Sequence, residues 1–141
     1  QLEREPGPPK VLWNYRKSVS YIPSPIVYEN VFYMAKDGIV TSLDPRTGAV
    51  HKRDRLGTEK MKVYASPVAA DGKVYFAGTE GQVVVLEAGP QWEVLGTNDL
   101  DEGIYASPAI VEGHVYVRTK SRLYSFSERA PGPAADATAT R

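Results

Sequence analysis

No cysteine occurs anywhere in the 141 residues, which excludes disulfides, thiolate zinc sites and cysteine nucleophiles. Neither sign of charge is in surplus. Seventeen basic and seventeen acidic residues cancel, so the summed field draws the chain neither to nucleic acid nor to an anionic membrane surface. Long apolar runs are missing too: none approaches the roughly eighteen residues of a membrane-spanning helix, and no membrane insertion is expected. Residues 1–10 are polar and proline-rich, without the apolar stretch of a signal peptide, which was either never made, removed or cut away. Histidine is scarce. His51 and His114 are the only two, and their spacing supplies no partners for a metal site or a general base.

What the chain does contain is an internal repeat. Ser24-Pro25, Ser66-Pro67 and Ser107-Pro108 are separated by 42 and 41 residues. Five residues after each proline stand Asn30, Gly72 and Gly113; seven after, Phe32, Val74 and Val115; eight after, Tyr33, Tyr75 and Tyr116. Each unit reads as short strands joined by tight turns. Asn30, Asp71-Gly72 and Glu112-Gly113 suit a two-residue hairpin, which needs positive φ. The β-branched and aromatic stretches 31–34, 74–77 and 115–118 read as half-buried strands, and 39–43, 83–86 and 123–126 as the next strand of each unit. No segment carries a helical period with caps. The fold class is all-β. A period of about forty residues holding four short antiparallel strands is that of a β-propeller blade, with Pro25, Pro67 and Pro108 at the start of each innermost strand, where a missing N–H is tolerated.

Two stretches carry a family resemblance: Tyr105-Ala-Ser-Pro, a hairpin, then Val115-Tyr116, and Val63-Tyr-Ala-Ser-Pro followed by Val74-Tyr75. They resemble the pyrroloquinoline-quinone-like (PQQ-like) propeller repeat. Ser42-Leu-Asp-Pro-Arg-Thr-Gly48 is similar to that family's strand-and-turn signature, in which Asp44 and Thr47 would bridge the turn and Gly48 take the left-handed position. The family signature often ends with a tryptophan that docks on the neighbouring blade. Trp13 stands in such a place; the later counterparts lie near Lys52 and Leu95, and the second unit reads Leu86-Glu-Ala-Gly-Pro, without Asp and Thr. Docking through this motif is therefore expected once.

The resemblance implies three repeats within residues 10–128, at about 21–57, 63–100 and 104–127, with fourth strands near 50–56 and 92–97. Residues 11–16 read as an outer strand that precedes any innermost one, so the chain holds three blades' worth of strands, about twelve in all. Three blades cannot close a ring of ordinary geometry. The chain is then a partial propeller belonging to a longer one, or a half-propeller whose second copy completes six blades, residues 11–16 of each chain finishing the last blade of the other. Residues 1–9 and 129–141 read as flexible tails.

The chemistry on offer is thin. Ser24, Ser66 and Ser107 recur as a repeat column and lack the Gly-x-Ser-x-Gly elbow of a nucleophile; they read as structural hydroxyls. Asp99, Asp101 and Glu102 form an acidic loop opposite Lys60 and Lys62 of the preceding unit, without the spacing of a calcium loop. Tyr64 and Tyr105 suit a binding face, though blade packing is the preferred reading. The family name raises quinone binding, but the quinone dehydrogenases typically use a full ring of blades, a calcium ion, a catalytic aspartate and often adjacent cysteines; no cofactor and no catalysis are expected here. The reading is a non-catalytic interaction or scaffold module that binds a protein partner or a second copy through its rim, with Tyr21, Lys36, Tyr64, Glu80, Tyr105 and Lys120 as rim candidates. Part of a quinone-dependent dehydrogenase with its active site elsewhere is the alternative. By resemblance alone, the setting is bacterial and periplasmic or extracellular.

Overall fold

The computed structural model describes residues 7–57 and 61–127. Its strands form three antiparallel sheets. β1 (Ile26–Tyr28), β2 (Val31–Lys36), β3 (Ile39–Leu43) and β4 (Val50–Arg55) make the first in simple up-and-down order. β5 (Val68–Ala70), β6 (Lys73–Ala77), β7 (Gln82–Glu87) and β8 (Val94–Asp99) make the second, and β9 (Ala109–Val111), β10 (His114–Arg118) and β11 (Leu123–Ser127) the third. The fourth strand of the second sheet thus begins at Val94, leaving Trp92 in the turn before it.

Local chemistry explains the hairpins. In each sheet the first turn has two residues, both at positive φ: Glu29 and Asn30 at 47° and 60°, Asp71 and Gly72 at 49° and 68°, Glu112 and Gly113 at 49° and 76°. That is the type I′ geometry whose twist matches the flanking strands. The turn after β3 is held by Asp44, whose Oδ1 accepts the N–H groups of Arg46 at 2.7 Å and Thr47 at 3.0 Å, while Gly48 N–H donates to Asp44 O at 2.8 Å. Gly48 sits at φ 72°. A Cβ there would meet the Trp13 ring at 2.7 Å, so the residue must be glycine for the indole to lie flat on the turn.

Alternation along the strands gives each sheet two apolar faces, and the cores lie between sheets. Val31, Tyr33, Ala35 and Val40 of the first sheet meet Val74, Phe76, Val84 and Leu86 of the second, joined by Leu56, Met61, Val63 and Trp92. A smaller core of Ala65, Ala77, Val83, Ile104 and Val117 lies between the second and third. The innermost strands are stitched by the Ser-Pro column: Ser24 N–H donates to Ser66 Oγ at 2.9 Å, and Ser66 N–H to Ser107 Oγ at 2.9 Å.

One expectation differs within the single chain: residues 11–16 form no strand there, and among the described residues β11 pairs with β10. Eleven strands are therefore present among the described residues. The segment is instead pinned by Trp13, whose Nε1–H donates to Pro45 O at 3.0 Å and whose ring meets Phe32 edge-on at 5.9 Å. Docking through the tryptophan motif involves Trp13; the second turn is reached by a different side chain. Lys52, the repeat counterpart of Trp13, reaches the turn before β8: its Nζ donates to Trp92 O at 2.7 Å, pairs with Glu93 at 3.2 Å and lies 4.4 Å from the centroid of the Trp92 ring. Tyr33 and Ser42 hold the same turn. The Tyr33 hydroxyl donates to Gly89 O and accepts Gly89 N–H at 2.7 Å, and Ser42 Oγ donates to Pro90 O at 2.7 Å. Burial pushes the Tyr33 phenol above its ordinary pKa, the Gly89 N–H acting the other way. The calls on residues 1–6 and 129–141 lie outside the described residues.

Trp92 is the largest side chain wedged between two sheets, and its indole N–H is buried with no hydrogen-bond partner among the described residues; packing and the Lys52 cation hold it. Trp92→Ala should lower stability by about 3–5 kcal/mol in urea unfolding, and Lys52→Met by about 1 kcal/mol. A Trp92→Ala loss below about 1 kcal/mol would show that the wedge collapses without cost.

Candidate interaction rim

The loops that enter each sheet and the turns between its second and third strands meet on one rim. Val63 and Ile104 form single antiparallel bridges with Gly78 and Thr119. Thr79 N–H donates to Lys62 O at 2.8 Å, Leu100 N–H to Gly81 O at 3.1 Å, and Ser20 Oγ to Ala35 O at 2.9 Å. Each entering loop is thereby clamped to the adjoining turns, and the six rim candidates border these clamped loops and turns.

On that surface Lys36 ends β2, Glu80 lies in the β6–β7 turn and Lys120 in the β10–β11 turn, all exposed. The position two residues before each repeat serine carries a large apolar side chain in every unit: Ile22, Tyr64 and Tyr105, exposed by 51%, 40% and 50%. Tyr21, beside Ile22, is more exposed still. Tyr64 and Tyr105 face each other across neighbouring sheets with ring centroids 6.2 Å apart and planes tilted by 60°. They pack on one another while keeping their outer surfaces in water, a rigid aromatic ledge with little rotamer entropy to lose on contact. Ile22 was not singled out in the sequence; its alignment with the two tyrosines was the available signal. Residues 58–60, including Lys60, lie outside the described residues.

The acidic loop is organised by one residue. Glu102 accepts hydrogen bonds from Thr119 Oγ1, from Ser121 Oγ at 2.7 Å and from Ser121 N–H at 3.0 Å. These donors, the Thr119 hydroxyl first, hold its carboxyl down at about 2. Asp99 Oδ1 accepts Asp101 N–H at 2.9 Å. Asp99 thus serves the loop's own backbone and Glu102 the β10–β11 turn, and no group of three His, Asp or Glu side chains able to hold a metal ion occurs among the described residues. The donor set does not fit a calcium ion or a quinone that binds through one. His114 stacks on Tyr116 and lies 3.3 Å from Ser125 Oγ, and the His51 backbone carbonyl accepts from Gln91.

A family model described as outer membrane protein assembly factor BamB matches residues 9–130. Comparison with curated protein sequences finds no match. Among solved structures, the chain is similar to BamB from Moraxella catarrhalis, with a TM-score of 0.67 and 20% identity over 82% of this chain and 36% of that one. It is also similar to a europium-containing methanol dehydrogenase, with a TM-score of 0.63 and 16% identity over 84% of this chain and 25% of that one. A third is the quinohemoprotein alcohol dehydrogenase ADHIIG from Pseudomonas putida HK5, with a TM-score of 0.53 and 19% identity over 73% and 17%. At these identities the likeness speaks for the propeller fold alone, and the chain spans no more than 36% of the length of these structures.

Because the folded state holds Glu102 below the ordinary glutamate value of 4.5, its contribution to stability is present above that pH and fades as pH falls from there towards about 2. Glu102→Gln should therefore melt below the parent at neutral pH, with the gap closing across that acid range. A gap independent of pH would mean that shape, not charge, is what the loop needs.

Proposed function

Since the chain belongs to the PQQ-like repeat family whose model is described as outer membrane protein assembly factor BamB, we propose that it is a non-catalytic propeller module that binds protein through its rim. The observation that carries this reading is the exposed ledge: Ile22, Tyr64 and Tyr105 stand at one repeat position in three consecutive units, while the loops around them are clamped by hydrogen bonds to the adjoining turns. Rigid, half-exposed aromatic surface is what protein interfaces use for affinity. Lys36, Glu80 and Lys120 supply the surrounding charge that selects a partner. By family likeness the setting is the periplasm of a bacterium.

The module acts as part of a larger ring or as one half of a two-copy ring. β11 supports both forms: it reads Leu-Tyr-Ser-Phe-Ser, without the charged residues or proline that keep a strand from pairing further. β4, an outer strand by design, carries His51, Lys52, Arg53, Asp54 and Arg55. A part of a quinone-dependent dehydrogenase remains the alternative, supported by fold likeness alone.

Two measurements separate these readings. A photo-crosslinking residue at position 64 or 105 should give a partner adduct of defined mass, while one at exposed Val94 on the outer edge should not; equal yields would sink the rim reading. Light scattering on the eluting chain should show a monomer or a sharp dimer. Dye-linked alcohol oxidation on adding PQQ and calcium, with a rise in melting temperature, would replace this reading with the dehydrogenase.

A further inference from the structure

The two spaces between sheets are built from equivalent residues but filled differently. Cross-strand register aligns Tyr33, Val40 and Leu56 of the first interface with Tyr75, Val83 and Leu100 of the second. On the facing sheets, Val74, Phe76 and Leu86 align with Val115, Val117 and Phe126. The first six enclose Trp92 in the larger core. The second six line an apolar cleft of about 170 Å³, which continues into a hollow of about 660 Å³ bordered by Asp71, Lys73 and His114.

The polar anchor is duplicated too. Tyr33 grips both backbone groups of Gly89, in the same turn as Trp92, whereas Tyr75, which lines both cavities, makes no side-chain hydrogen bond among the described residues. Trp92 stands six residues after Leu86; six after Phe126 stands Gly132, and residues 128–141 contain no aromatic residue and no Val, Leu, Ile or Met. The tryptophans at positions 13 and 92 are both engaged, Trp13 on the Gly48 turn and Trp92 in the core.

We propose that the cleft between the second and third sheets is a binding site for an aromatic side chain, an indole above all, presented on a turn of a partner protein, with Tyr75 hydrogen-bonding the backbone of that turn. Apolar walls of this kind reward a flat, large side chain through buried area, and the free phenol supplies the orienting polar contact a pocket needs. The site lies between the sheets rather than on the rim ledge, so it stands or falls independently of the rim.

The internal repeat also names the probe: a peptide with the sequence of residues 87–94, Glu-Ala-Gly-Pro-Gln-Trp-Glu-Val. Titrated into the full chain and followed by methyl NMR, it should shift Val83, Val85, Leu100, Val115 and Val117. Trp92→Ala in the peptide should abolish the shifts. Tyr75→Phe in the protein should weaken the peptide about five- to tenfold and leave free indole unaffected. Val85→Trp, which fills the cleft, should block both; if that variant does not fold, Tyr75→Phe still decides the hydrogen bond. Silence of these methyls towards both peptide and indole at millimolar concentration would overturn the proposal. So would equal binding of the alanine peptide. Concentration-dependent shifts of the same methyls without any peptide would overturn it in favour of a second copy.

Discussion

A sheet with apolar side chains on both faces must be covered twice, and that constraint governs this molecule. Val31, Tyr33 and Val40 are buried only because Val74, Phe76 and Leu86 stand opposite them, and the twist of each sheet opens a wedge that side chains alone must fill. Between the first two sheets the filling is Trp92, on a turn gripped by Tyr33, Ser42 and Lys52 from three successive strands. The serine ladder closes the narrow end of the same wedge. Each contact is modest, about 1 kcal/mol for a typical hydrogen bond, while the buried indole and its neighbours contribute several times more. Stability therefore resides between sheets rather than within them.

The same constraint makes the array directional. One end is capped by the segment that carries Trp13, laid over Phe32 and the Gly48 turn. At the other end the last described strand is β11. Loops fastened to such stacked sheets are held at fixed spacing, which is why residues two before each serine line up as a ledge. The fold hosts both assembly factors and dehydrogenases, so function has to be argued from the ledge and the cleft rather than from the sheets.

Much of this was legible in the residues. The Ser-Pro spacing and the Asn and Gly columns located the first hairpin of each sheet, because type I′ turns tolerate few residue types. Asp44, Thr47 and Gly48 announced their turn for the same reason. The docking of the second turn was not legible: with Asp and Thr gone from Leu86-Glu-Ala-Gly-Pro, nothing local marks it, and it is held from another sheet by Tyr33, Ser42 and Lys52. Trp92 reads as the start of a strand until that grip places it in a turn. Residues 11–16 alternate like a strand, but a strand needs a partner's ladder, which the pattern cannot supply.

By itself, then, the sequence determined the repeat, the four-stranded unit and the turn types, since these depend on backbone preferences and on side-chain alternation within some forty residues. Only the tertiary structure decided that Lys52 can stand in for a docking tryptophan, and that among the described residues one wedge is filled by Trp92 while its twin keeps a cleft. Those outcomes depend on which side chains from different sheets arrive within a few ångströms of each other, and no local pattern encodes that distance.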